Sequence, residues 1–292
     1  MNLVESVADA ASYLEKHGVS SPRLNAESLL GYLIGLERLE IYTHYDRLLS
    51  AREADDYKAL LKKRAGGCPL QYLTGEAGFM GLAFEVRNGV FIPRPETEVL
   101  VSKLLEGLPP GSADILDLGT GCGNIAVGVA VSRPLVSVVA VDNDPLAGEL
   151  CRRNAERHGV AARVEVLAGD LYEALSGMPS RLFDAIVSNP PYIPEFAREG
   201  LPVEVRDFEP AGAILGGPDG LDLVRRIIRD APAYLKVGGL LLVEIDDGQV
   251  EEAMDLFGGE WEEVRYHEDL TGRARVVEAG LASRAVSRGW AQ

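Results

Sequence analysis

The chain has 292 residues with 29 Lys and Arg against 45 Asp and Glu, a formal net charge of −16. Hydrophobic residues make up 47% and charged residues 25%, a globular balance that argues against global disorder and leaves room for one large domain or two of ordinary size. The acid excess weighs against proteins that bind by neutralising nucleic-acid phosphates, and against docking on an anionic membrane.

No stretch reaches the roughly 18 to 20 apolar residues of a membrane helix. The opening MNLVESVADAASYLEKHG has neither a basic leader nor an apolar block, so no signal peptide is expected. Cys68, Cys122 and Cys151 form no CxxC pair, which predicts reduced thiols and a cytoplasmic protein. The four scattered histidines show no metal-site spacing.

Residues 1–75 read as a small helical domain. Leu3, Val7, Ala10, Ala11 and Leu14 recur at helical spacing. Ser21-Pro22 looks like a cap with proline at the first helical position, followed by an apolar face of Leu24, Leu29, Leu30, Leu33 and Ile34. Ser50 and Glu53 form a capping box for a helix that ends at Gly66-Gly67. Residues 76–95 alternate apolar and polar around Asn88-Gly89, which predicts a β-hairpin linker with its turn there.

From residue 96 to 292 helical stretches alternate with strands. The predicted strands are 113–118, 136–141, 163–168, 183–188, 239–245, 261–267 and 274–279. Such alternation predicts an α/β domain with a mainly parallel, Rossmann-like sheet and helices on both faces. The polar tail 283–292 is expected to fray.

Two loops carry chemistry. The first predicted strand runs into Asp117-Leu118-Gly119-Thr120-Gly121-Cys122-Gly123, and a helix starts near Asn124. Alternate glycines let the chain turn sharply and let a ligand lie against the backbone. Nineteen residues beyond Gly123 stands Asp142, where a doubly wound fold places a carboxylate for ribose hydroxyls. A dinucleotide fingerprint would need glycine at position 124, which is Asn, and Asp117 would repel a pyrophosphate. It suits a ligand with an ammonium group and no phosphate, which favours S-adenosylmethionine. A purely structural glycine turn is the alternative, and Cys122 reads as a small loop residue.

The second loop, Ser188-Asn189-Pro190-Pro191-Tyr192, closes the fourth predicted strand at the sheet edge where open α/β folds bind ligands. An amide or exocyclic amine nitrogen is a poor nucleophile because its lone pair is delocalised. The Asn189 oxygen and the Pro190 carbonyl could accept its two N–H bonds and aim that lone pair at a methyl group. Tyr192 would wall the planar group. A plain turn is again the alternative.

DLGTGCG followed by NPPY resembles class I S-adenosylmethionine-dependent methyltransferases that act on planar nitrogens. Further blocks are similar to signatures of the HemK/PrmC family across the whole chain: Pro69–Gly75, Ile92–Glu98, Glu209-Pro210, Leu215-Gly216-Gly217, Asp219-Gly220 and Asp269–Arg273. The resemblance implies methylation of the side-chain amide of the glutamine in the Gly-Gly-Gln motif of class I peptide chain release factors, with S-adenosyl-L-homocysteine as co-product. It implies that the partner is the release factor, with no direct nucleic-acid or membrane partner, and that the N-terminal helical domain recognises it. Cofactor contacts are implied at Asp117, Gly119, Thr120, Gly121, Cys122, Gly123, Asp142 and Asn143, with Asp170 and Leu171 flanking the adenine. Arg94 and Thr97 are implied at the methionine end, and Asn189 faces cofactor and substrate alike. Catalysis is assigned to Asn189, Pro190 and Tyr192, and the glutamine pocket adds Pro191 and Phe91. Three positions depart from the family: Leu171 where an aromatic is frequent, Glu244–Gln249 for Glu-x-Gly-x-x-Gln, and Ala274 for an acid. A ribosomal-protein glutamine methyltransferase and a DNA adenine methyltransferase stay open as alternatives.

Overall fold

A computed structural model describes residues 1–178 and 181–283. In chain order the elements begin with α1 Leu3–Lys16, α2 Pro22–Ile34, α3 Arg38–Thr43, α4 Ala51–Ala65 and α5 Leu70–Thr74. The hairpin strands β1 Glu76–Phe79 and β2 Leu82–Glu85 come next. Then follow α6 Glu98–Gly107, β3 Ala113–Leu118, α7 Asn124–Ser132, β4 Val136–Asp142, α8 Pro145–Arg157, β5 Val164–Ala168 and β6 Phe183–Ser188. The last are α9 Val203–Arg206, α10 Asp222–Asp230, β7 Leu235–Glu244, α11 Val250–Met254, β8 Trp261–Glu268 and β9 Ala274–Leu281. Residues 284–292 of the polar tail lie outside the described residues. Among the described residues no helix is long and apolar enough to cross a membrane.

The chain forms two compact units. One holds residues 1–76, 86–88 and 201–209, the other residues 77–85, 89–200 and 210–292. In the helical unit, capping boxes start α1 (Asn2 with Glu5) and α4 (Ser50 with Glu53). Leu3, Val7, Ala10 and Leu14 pack on Leu29, Leu30, Ile41 and Leu61. The predicted Ser21 cap is not formed: Ser21 is left-handed at φ 47° and its side chain bonds no helix N–H. Leu24, expected on the apolar face, is exposed. Arg64 sits at the centre of this unit, 3% exposed. Its guanidinium donates to Asn25 Oδ1 at 2.6 Å, to the Cys68 carbonyl at 3.1 Å and to Glu204 Oε1 at 2.5 Å. The pairing is needed, since a buried unpaired guanidinium would cost several kcal/mol.

The β1–β2 hairpin turns at Met80-Gly81, both left-handed at φ 52° and 72°, and not at the predicted Asn88-Gly89. Asn88-Gly89 forms a separate turn after the hairpin. Side chains decide the register. Phe79 and Phe84 are buried edge to face, 6.1 Å apart, and the Met80 N–H donates to Glu98 Oε1 at 2.7 Å, so the turn falls between them.

The second unit is a seven-stranded sheet in the order β5-β4-β3-β6-β7-β9-β8. The first five strands are parallel; β9 pairs antiparallel with β7 and β8. Apolar runs such as Val136–Val141 and Phe183–Ser188 are buried along most of their length. The order runs one way from β3 to β5 and the other way from β6 to β7. Right-handed crossovers then place helices on opposite faces, and the switch point lies between β3 and β6. Leu118 and Ser188 pair at the ends of these two strands, so the loops that follow them are neighbours.

Candidate active site

The loop after β3 is shaped by its carboxylates. Asp117 is fully buried; Oδ2 accepts from Thr120 Oγ1 at 2.6 Å and from the Ala126 N–H at the start of α7 at 3.2 Å. Oδ1 is buried with no partner. Burial pushes this carboxyl up to about 7 against the pull of those two donors, and Asp142 adds to the rise. Asp142 ends β4, and its Oδ2 accepts the Gly121 N–H at 2.8 Å while Oδ1 accepts the Asp144 N–H at 2.9 Å. Burial also raises the Asp142 carboxyl.

The glycines differ in purpose. Gly119 and Gly121 have φ 72° and 57°, and a side chain there would point into open space. Gly123 has φ 87°, and a Cβ would fall 2.6 Å from Cys151 Sγ and 3.0 Å from Cys151 Cα. The first two leave a cradle free, and the third lets α7 start against α8. Cys122 is buried, and its carbonyl accepts from Asn154 Nδ2 at 2.8 Å. Asn154, fully buried on α8, also exchanges two hydrogen bonds with the Glu85 backbone, so one side chain ties the loop to the hairpin. Sequence reading missed it, since a lone Asn in a helix carries no local signal.

After β6, the Ser188 hydroxyl donates to the Leu118 carbonyl at 2.7 Å and locks the two loops edge to edge. Asn189 is half-buried, and its Nδ2 donates to Thr97 Oγ1 at 3.0 Å. Pro190 is buried; Pro191 and Tyr192 are half-buried. The Tyr192 hydroxyl donates to Glu244 Oε1 at 3.3 Å, and its pKa is raised by burial first and by the Glu244 charge second. Glu244, at the end of β7, is 1% exposed. Burial pushes its carboxyl up to about 7; the nearby Thr97 and Tyr192 hydroxyls and the charge of Arg275 pull the other way.

The other predicted residues fall at the same edge or beside it. Asn143 is exposed after β4. Asp170, after β5, pairs with Arg226 at 2.7 Å, and Leu171 is left-handed at φ 47° and packs partly on the sheet core. Arg94 lies over the Phe91 ring at 5.0 Å. Thr97 is fully buried.

Two of the remaining signature blocks, Leu215-Gly216-Gly217 and Asp219-Gly220, brace the NPPY loop. The Ile193 N–H donates to the Ile214 carbonyl and the Gly216 N–H returns to the Ile193 carbonyl. A side chain on Gly216 would strike the Pro191 and Gly220 carbonyls, and one on Gly220 would strike the Tyr192 carbonyl. Gln249 Nε2 donates to the carbonyls of Tyr192 and Asp219 at 2.9 and 3.0 Å. The departure at Glu244–Gln249 therefore leaves the Gln249 brace intact. Asp269, in the turn between β8 and β9, accepts Arg275 Nε at 2.9 Å and is held well below the usual carboxylate range by Thr271 and Arg275.

The family model described as the PrmC N-terminal domain matches residues 5–75, and the methyltransferase small domain matches residues 83–201. A release factor glutamine methyltransferase of Geobacter sulfurreducens is 45% identical, over 84% of each chain. That of Moorella thermoacetica is 41% identical over 94% of this chain and 97% of its own, and that of Rhodopirellula baltica 36% over 95% and 94%. Among solved structures, a methyltransferase from Pyrococcus furiosus has TM-score 0.51 at 19% identity, over 70% of this chain and 90% of its own. The 16S rRNA N2 G1207 methyltransferase of Thermus thermophilus, in complex with AdoMet and guanosine, has TM-score 0.51 at 23% identity, over 70% and 49%. These structures share the class I methyltransferase fold. By the identity and coverage of its relatives, the chain belongs to the release factor glutamine methyltransferase family.

Proposed function

We propose that the chain transfers a methyl group from S-adenosylmethionine to the side-chain amide nitrogen of the glutamine in the Gly-Gly-Gln motif of class I peptide chain release factors, in the cytoplasm. The observation that carries this reading is the match to release factor glutamine methyltransferases through both units, 36–45% identical over most of the chain. The intact NPPY loop beside the glycine loop supports it.

The residues fit the methyl donor. The unpartnered buried Oδ1 of Asp117 is an acceptor for an ammonium, and the open space at Gly119 and Gly121 admits a ligand against the backbone. Two carboxylates flank the loop, which suits a cation and disfavours a pyrophosphate. Thr120, Cys122 and Gly123 shape this loop, Asp142 and Asn143 would hold the ribose, and Asp170 and Leu171 would flank the adenine. Arg94 and Phe91 would line the donor and glutamine pockets.

S-adenosylmethionine supplies an electrophilic methyl on its sulfonium and leaves as S-adenosylhomocysteine. The Asn189 Oδ1 and the Pro190 carbonyl accept the two N–H bonds of the glutamine amide. This fixes the nitrogen and aims its lone pair at the methyl, while Pro191 and Tyr192 wall the plane. The methylated nitrogen is acidic and loses its proton without a strong base. The helical unit recognises the release factor.

The test is label transfer from methyl-labelled donor to a release factor, a ribosomal protein and duplex DNA offered side by side. Label on the release factor alone is expected; label on either of the others in preference overturns the reading. Asn189→Ala should cut turnover at least about 100-fold while donor affinity stays unchanged.

A further inference from the structure

We propose that Thr97 is a positioning residue that holds the Asn189 amide with its oxygen toward the substrate. The inference rests on the methyl transfer proposed above, and it concerns a residue that acts through Asn189.

An asparagine side chain has two nearly isosteric orientations that exchange an acceptor for two donors. A substrate amide N–H needs an acceptor opposite it. With Nδ2 turned toward the substrate, two donors would face each other and the site would repel what it must hold. The orientation of Asn189 is therefore a functional variable, and the loop backbone alone does not set it.

The surroundings set it. Asn189 Nδ2 donates to Thr97 Oγ1 at 3.0 Å. Thr97 is fully buried, its Oγ1 accepts this bond, and Asn189 Oδ1 is left for the substrate.

Thr97 was expected at the methionine end of the cofactor. Fully buried, with its hydroxyl occupied by Asn189, it is assigned here to the substrate side. Its parent block, Ile92–Glu98, thus acts on the NPPY loop from the start of α6.

The test uses the full-length protein with Thr97→Val and Thr97→Ser. Turnover on a release factor is measured together with donor affinity by calorimetry. Thr97→Val should lower kcat about 10- to 100-fold with donor affinity within about twofold of wild type, and Thr97→Ser should restore kcat to within about threefold. Unchanged kcat in Thr97→Val, or a loss confined to donor affinity, overturns the proposal.

A second readout needs no substrate. The Asn189 side-chain amide resonances, identified by their loss in Asn189→Ala, should be protected from solvent exchange in wild type and Thr97→Ser and unprotected in Thr97→Val. Fast exchange in the wild type overturns the proposal even if Thr97→Val fails to fold. A wild type that binds the donor and leaves the release factor unmethylated overturns the functional reading instead, and the amide signal still decides the orientation.

Discussion

Asp117 does two jobs with two oxygens. Oδ2 holds Thr120 and the first turn of α7, while Oδ1 is left buried and unpartnered. With its carboxyl raised to about 7, a cationic donor must draw it into the ionised form. Donor affinity should therefore rise as pH increases through about 7, with Asp142, also raised, contributing in the same direction. Isothermal titration between pH 6 and pH 8 checks this. Asp117→Asn should bind more weakly and lose most of the slope; a slope of the opposite sign contradicts the assignment. The carboxylate itself was legible in sequence because it precedes alternating glycines. Its helix-capping half was not, because capping depends on where Ala126 falls in three dimensions.

The two loops that carry the chemistry are punctuated by residues with hard backbone preferences, and so could be placed from sequence. Gly119, Gly121 and Gly123 turn the chain off β3, and Pro190-Pro191 stops β6. What punctuates weakly was misread. Met80-Gly81 lacks the Asn-Gly signature of a hairpin turn, and Asn88-Gly89 has it without being one. The contacts of Gln249, Asn154 and Thr97 could not be placed for a different reason: each works across a large sequence separation, on a backbone carbonyl or a side chain brought near by the sheet. Within the glycine loop the glycines play two roles. Gly123→Ala should cost roughly 2 to 4 kcal/mol, from left-handed backbone and from overlap with Cys151. Gly121→Ala should cost only about 1 to 2 kcal/mol but weaken donor binding, because its Cβ enters the open cradle. Thermal melts with and without donor check this; equal effects from the two variants would contradict it.

For the whole molecule, Asp117, Asp142 and Glu244 share a consequence. Each carboxyl is raised in the folded chain, Asp117 and Glu244 to about 7 from ordinary values of 3.8 and 4.5. Between those values the folded state holds protons that the unfolded state has released. Stability should accordingly fall as pH rises from about 5 to about 8. Melting temperatures across that range check the sign, and Glu244→Gln should flatten part of the slope. A melting temperature that climbs with pH would contradict it. The charge of −16 is unfavourable for binding nucleic-acid phosphates, and the relatives that match over most of the chain are release factor glutamine methyltransferases. The most direct measurement is tandem mass spectrometry of a class I release factor incubated with the protein and S-adenosylmethionine. The account predicts one methyl group on the side-chain nitrogen of the glutamine in Gly-Gly-Gln, absent when Asn189→Ala replaces the wild type. A methyl group on any other residue, or none on the release factor while the protein binds its donor, would contradict it.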